Sequence, residues 1–210
     1  MTVTWSPQAP ARIAEVLKDR RVAVLRIAPS LADQEADAEY RSEGPEFDEV
    51  DMPIPPALHE VDGLAGVDFG DLRALDLSYV RCGVPGARAL AAATGRIEEL
   101  DLRYCALGDP GVEALAHAPA LRGLRRLHLQ RNALTGAGAR ALARFERLEE
   151  LDLRYNPIGE AGARALAQAP FAASLTRLLL HREDLSAAGV QELASAPRFP
   201  SALRSFWRSM

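Results

Sequence analysis

The sequence predicts an α/β solenoid: a right-handed stack of strand–helix units with a curved parallel sheet on the concave side, helices on the convex side and a cap at each end. Three observations carry this. One segment recurs five times from Leu72 onward. Its first part alternates apolar and polar residues, as in "LDL" and "LHL", which is the period of a strand with one buried face. Its second part spaces apolar residues as one face of a helix does.

The segments begin at Leu72, Ile97, Leu124, Leu148 and Leu175, offset by 25, 27, 24 and 27 residues. The fourth position holds Leu75, Leu100, Leu127, Leu151 and Leu178, and the sixth holds Leu77, Leu102, Leu129, Leu153 and Leu180. The eleventh holds Cys82, Leu107, Leu134, Ile158 and Leu185. Glycine fills the fifteenth (Gly86, Gly111, Gly138, Gly162, Gly189) and leucine the nineteenth (Leu90, Leu115, Leu142, Leu166, Leu193). Thr135 and Ser186 stand where a helix N-cap belongs, and Pro85 and Pro110 fall in a first turn, where a missing N–H costs little. The recurring glycine is expected to let each helix approach the strand layer. One such unit cannot bury its apolar face alone, so stacking builds the core, with strands about 5 Å apart.

The pattern L-x-x-L-x-L-x-x-N/C-x-L resembles that of leucine-rich repeats, and the helix after a glycine resembles their ribonuclease-inhibitor-like subclass. Residues 72–196 carry the resemblance. The ninth position is met by Cys105, Asn132 and Asn156 and fails at Val80 and Glu183, in the first and last copies, where atypical capping units are expected. The repeats are short for the subclass, which implies short helices. The resemblance implies a protein-interaction module that uses its concave face; some members of the subclass activate GTPases, an alternative role as an enzyme regulator.

Outside the repeats, residues 1–71 read as an N-terminal acidic cap or small domain and 197–210 as a C-terminal cap. "ARIAEVLKDR" at 11–20 reads as an amphipathic helix, "VAVLRIA" at 22–28 as a strand, Phe47 to Ile54 as a second strand, and "LAGVDF" at 64–69 as a degenerate half-repeat. Residues 31–51 hold nine Asp or Glu and one Arg. They read as a solvated loop, or as a segment that folds over the arginine-rich half of the concave face. At the C-terminus, Phe199, Phe206 and Trp207 are expected to cover the last repeat.

Charge is uneven. Residues 1–71 hold 6 Lys or Arg against 15 Asp or Glu, and residues 72–210 hold 19 against 14, within a net charge of -4. A general nucleic-acid binder is more basic than this. The two cysteines, Cys82 and Cys105, do not make a disulfide framework and occupy inward positions, so buried structural thiols are expected. The start lacks a basic region followed by an apolar one, and no apolar run approaches the roughly 20 residues of a membrane span. A reduced, cytoplasmic protein is expected.

Residues flanking the buried leucines of a strand point to its other face. The fifth position there holds Asp76, Asp101, His128, Asp152 and Leu179; the seventh holds Ser78, Arg103, Gln130, Arg154 and His181. The eighth, at the strand edge, holds Tyr79, Tyr104, Arg131, Tyr155 and Arg182. Tyrosine and arginine are enriched in binding hot spots. Tyr79, Asp101, Arg103, Tyr104, His128, Arg131, Asp152, Arg154, Tyr155 and Arg182 are therefore the candidate partner-binding residues. The face is graded, with Asp76, Glu99 and Asp101 in its first half and Arg126, Arg131, Arg154, Arg177 and Arg182 in its second, unless neighbouring Asp and Arg pair with each other.

Catalysis is not expected. Of His59, His117, His128 and His181, the pair His128 and His181 lies two repeats apart, about 10 Å between strands, too far to share a metal ion. No phosphate loop, Ser–His–Asp arrangement or zinc-type cysteine pattern is present, so neither cofactor nor metal is expected.

Overall fold

The leucine columns become strands. In the computed structural model, which describes residues 1–4, 9–19, 22–28 and 64–209, the chain runs β1 (Thr2–Thr4), α1 (Ala9–Leu17), β2 (Val24–Ala28), β3 (Ala74–Asp76), α2 (Gly83–Ala91), β4 (Glu99–Asp101) and α3 (Gly108–Leu115). It continues through β5 (Arg126–His128), α4 (Gly136–Leu142), β6 (Glu150–Asp152), α5 (Gly159–Gln168), β7 (Arg177–Leu179), α6 (Ala187–Ser195) and α7 (Ser201–Arg208). The seven strands form one parallel sheet in chain order. Leu75, Leu100, Leu127, Leu151 and Leu178 lie in register across it, all buried. Each fully buried leucine of such a column stabilises by about 1.5–3 kcal/mol relative to exposure. With the columns of positions six, eleven and nineteen they fill one core between sheet and helices.

The repeat helices α2 to α6 are seven to ten residues long, short as expected. Thr135 accepts from the Ala137 amide and Ser186 from the Gly189 amide, as N-caps do. Pro85 and Pro110 sit in the first turns of α2 and α3. The two 27-residue offsets have a visible cause: after α3 and α5 the chain adds a 3₁₀ turn, Pro119–Leu121 and Pro170–Ala173, each begun by a proline.

The glycine column serves a different contact from the one expected. A Cβ at Gly162 would come within 2.6 Å of Ile158 Cβ and 3.1 Å of Ala139 Cβ. At Gly111 it would meet Leu107 and Ala87, and at Gly138 Asp109. Ala87, Asp109 and Ala139 belong to the preceding repeat's helix, and Leu107 and Ile158 to the turn that opens the glycine's own helix, so glycine permits close helix–helix stacking and a tight helix start rather than helix–strand approach. Asp109 uses that closeness: its carboxylate accepts from the backbone of Thr135 and Gly138 at 2.8 and 2.9 Å and from the Thr135 hydroxyl at 2.6 Å, helping to cap the next helix.

The ninth position closes each turn from inside. Asn132 Oδ1 accepts from the amides of Cys105 and Leu107, both at 3.2 Å, and its amide group donates to Leu102 and Leu129 carbonyls. Asn156 repeats this one rung on, accepting from Asn132 and Leu134 at 2.9 and 3.0 Å. Cys105 substitutes with its thiol, 3.2 Å from the Leu77 carbonyl, and burial pushes that thiol's pKa well up. At the far end the ladder departs from the repeat count. Asp184, one residue beyond Glu183, accepts from the Tyr155 amide at 2.8 Å and the His181 amide at 3.0 Å. A 3₁₀ turn over Arg182–Asp184 replaces the repeat's usual turn and shifts the carboxylate into place. Burial raises the Asp184 pKa, against the lowering effect of these amides.

The expected helix at 11–20 and strand at 22–28 are α1 and β2. The unexpected β1 pairs with β2, Val3 opposite Ile27, and β2 pairs with β3, Leu25 opposite Leu75. The described N-terminal residues thus continue the repeat sheet. The strand expected at Phe47 to Ile54 and the acidic segment at 31–51 lie outside the described residues. Leu64 and Phe69 are buried, and Asp68 bridges in parallel to Thr94, just after α2. At the other end α7 packs on α6; Phe199 and Trp207 are buried as expected, but Phe206 is half exposed.

Candidate protein-binding face

Side chains at strand positions three and five reach the sheet face turned away from the helices. Because the strands are parallel and in register, each row repeats at about 5 Å, within reach of a long side chain. The position-three row reads Glu99, Arg126, Glu150, Arg177, so signs alternate. Arg126 pairs with Glu99, and Arg177 Nη1 lies 3.1 Å from Glu150 Oε1. Arg26 of β2 adds a 3.4 Å pair with Asp76. The charge grading expected from counting is therefore largely cancelled by pairing between neighbouring strands.

Positions five and seven form a local motif. Asp101 accepts from the Arg103 amide at 3.1 Å and grips the same residue's guanidinium, Nη2 to Oδ2 at 2.6 Å. Asp152 holds Arg154 in the same way, at 3.1 and 2.7 Å. Asp76 holds the Ser78 amide and hydroxyl, at 2.9 and 2.6 Å. Such two-point contacts fix a guanidinium that would otherwise sample many rotamers.

His128 sits between carboxylates, Nδ1 3.8 Å from Asp101 and Nε2 3.6 Å from Glu150, ion-pair rather than hydrogen-bond distances. Its pKa is raised, chiefly by Asp101, against partial burial. Burial would raise the Asp101 pKa, but His128 and Arg103 outweigh it and hold the carboxyl at about 2. Beside this group, the small Ala74 leaves a depression of about 200 Å³, lined also by the exposed Val24 of β2, Asp76, Glu99 and Arg126.

The eighth position makes the sheet edge. Tyr79, Tyr104, Arg131 and Tyr155 all have positive φ, between 54° and 66°. Left-handed backbone disfavours a side chain by roughly 1–2 kcal/mol per residue. Each nonetheless donates its amide across the sheet: Tyr79 to Arg103 O at 2.8 Å, Tyr104 to Gln130 O at 3.0 Å, Arg131 to Arg154 O at 3.0 Å, and Tyr155 to Asp184. The side chains stack in turn. Tyr79 and Tyr104 rings lie 4.6 Å apart at 14°. The Arg131 guanidinium lies 5.6 Å from the Tyr104 ring and 5.7 Å from the Tyr155 ring. Tyr155 stacks on His181 at 4.7 Å. Offset stacks contribute about 0.5–1.5 kcal/mol per pair, and an exposed cation–π contact about 0.5–1 kcal/mol.

A leucine-rich-repeat family model matches residues 97–116, 122–143 and 148–167. Those three segments are leucine-rich repeats. Comparison with curated proteins finds no match. The matched segments are the second, third and fourth copies. The first and fifth lie outside the match yet form the same strand and helix, and they are the copies that lose Asn or Cys at position nine. No described helix is long and apolar enough to cross a membrane.

Of the candidate binding residues on this leucine-rich-repeat sheet, Tyr79, Tyr104, Arg131 and Tyr155 come together in one stack. Asp101, Arg103 and His128 form a second group, and Asp152 with Arg154 a third. Asp152 is 3% exposed, so it positions Arg154 rather than offering itself for contact. Arg182 is exposed but opens the 3₁₀ turn instead of taking the left-handed conformation, so His181 completes the stack in its place. Sequence reading misses Asp184, Asp109 and the stacking role of His181. A residue count cannot find them, because a 3₁₀ turn shifts Asp184 and His181 against the column, and Asp109 acts on the next repeat. Among the described residues no group of three or more His, Cys, Asp or Glu side chains is arranged to hold a metal ion.

Proposed function

We propose that the chain is a protein-interaction module that binds a folded protein partner through the sheet face opposite its helices, with the Tyr79–Tyr104–Arg131–Tyr155–His181 edge as the main contact. The observation that carries this reading is the stack itself. It sets tyrosine and arginine, the residue types that dominate binding hot spots, in fixed positions along one edge. Ordering such side chains on binding ordinarily costs about 0.5–1.5 kcal/mol each, and here they are ordered beforehand. Leucine-rich repeats are typically protein-interaction modules, which agrees. Regulation of an enzyme through an exposed arginine finger draws no support from Arg103 and Arg154, each already held by its own aspartate.

The test is affinity capture from native-host lysate with wild type and with a Tyr104→Ala, Tyr155→Ala double variant. A protein retained by the wild type and lost by the variant is the expected result. Equal retention would remove the edge from the binding site.

A further inference from the structure

Charges on the sheet face are nearly all answered. Arg26, Arg126 and Arg177 pair with carboxylates on neighbouring strands, and Arg103 and Arg154 with their own aspartates. Arg131 is the exception at the centre of the stacked edge. Among the described residues it has no ion pair, and its Nη2 is buried without a hydrogen-bond acceptor. Two tyrosine rings hold its guanidinium by their faces. Ring faces satisfy the plane of a guanidinium but leave its in-plane N–H donors without an oxygen, and those donors form the fork that matches a carboxylate. Two rungs on, Arg182 is exposed in the 3₁₀ turn beyond the stack and also has no ion pair among the described residues.

We infer that Arg131, clamped between Tyr104 and Tyr155, receives a carboxylate of the protein partner, so that the edge takes an acidic segment of that partner. This rests on the reading of the edge as the binding surface and adds the chemistry of what it binds. Because the two rings already fix the guanidinium, a carboxylate meets it at little further entropic cost. Tyrosines on both sides shield the new pair from water, which strengthens it.

The probes are two fluorescein-labelled peptides of the same length, one alternating Glu with Ser and one alternating Gln with Ser. Each is titrated by fluorescence anisotropy against the full chain. The Glu peptide is expected to bind about tenfold or more tighter than the Gln peptide, and more weakly as salt rises. Arg131→Gln should abolish that preference. Arg122→Gln, which removes an exposed arginine from the turn after Pro119–Leu121, should leave it intact and so distinguishes this site from general charge attraction. Comparing the two peptides on the unaltered protein does not depend on how any variant folds. Equal binding of the peptides, no binding of the Glu peptide, or a preference that survives Arg131→Gln would overturn the inference. The captured partner separates the two readings. Binding lost with Tyr104→Ala, Tyr155→Ala but kept with Arg131→Gln would leave the edge as the contact and dismiss the carboxylate. Binding kept by both variants would dismiss both.

Discussion

Positions eight and nine are adjacent in the sequence and build two ladders of opposite character. Position nine, Cys105, Asn132 and Asn156, points inward, and every polar atom there closes a backbone turn. Position eight, Tyr79, Tyr104, Arg131 and Tyr155, runs along the edge; its amides donate to the next rung, while its side chains stack on one another. Register makes both ladders, because whatever stands at one rung recurs about 5 Å away. What differs is the alternative open to each group. A buried amide left without partners costs its full desolvation, whereas an exposed ring left without a neighbour is solvated. The inner ladder is therefore a stability device, and the outer one is free to be chosen for a partner.

The largest expected effect follows from the inner ladder. Asn156→Ala strips acceptors from two buried amides, Asn132 and Leu134, and donors from the Leu129 and Leu153 carbonyls. A loss of about 3 kcal/mol in unfolding free energy is expected by urea denaturation. A loss no larger than that of an exposed substitution would mean that water replaces the side chain, and the contrast between the ladders would weaken.

A smaller effect separates the inner ladder from the charged rows of the face by pH. Asp101 titrates at about 2 in the folded protein against 3.8 for an ordinary aspartate. Its contribution is thus present above pH 3.8 and lost as pH falls toward 2. Its size is about 1–2 kcal/mol once solvent screening of this partly exposed group is allowed for. His128, raised above 6.5, works in the other direction: its contribution is complete below 6.5 and is lost as pH rises through its folded value. The difference in unfolding free energy between wild type and Asp101→Asn should accordingly shrink at both ends of the range. A difference that stays constant as pH falls toward 2 and as it rises through the titration of His128 would show that the pair is not coupled.

The two ladders also differ in how far the sequence discloses them. The leucine, glycine and asparagine columns are visible by eye because burial admits few residue types, so β3 to β7 and the inner ladder can be located from residue spacing alone. The edge column can be read as tyrosine- and arginine-rich, yet neither its left-handed backbone nor its stacking follows from residue type. Counting acids and bases suggests a graded face; Glu150, between Arg126 and Arg177, shows why pairing must be followed strand by strand. Strand β1 is hidden because three residues, Thr-Val-Thr, carry no periodicity and find their partner only at Val24–Ala28. The glycine column is legible as a close approach, but whether helix or strand approaches is decided by stacking between repeats, which no single repeat encodes.

The central claim is that the edge binds while the inner ladder holds the fold. Its most direct test is the dissociation constant of the captured partner, by calorimetry, for wild type and for Tyr104→Ala, Tyr155→Ala, with the melting temperature of each. A loss of affinity of about thirtyfold or more, as for a hot-spot pair, is expected in a variant that remains folded. An unchanged dissociation constant, or a variant that loses its partner only because it has unfolded, would contradict the claim.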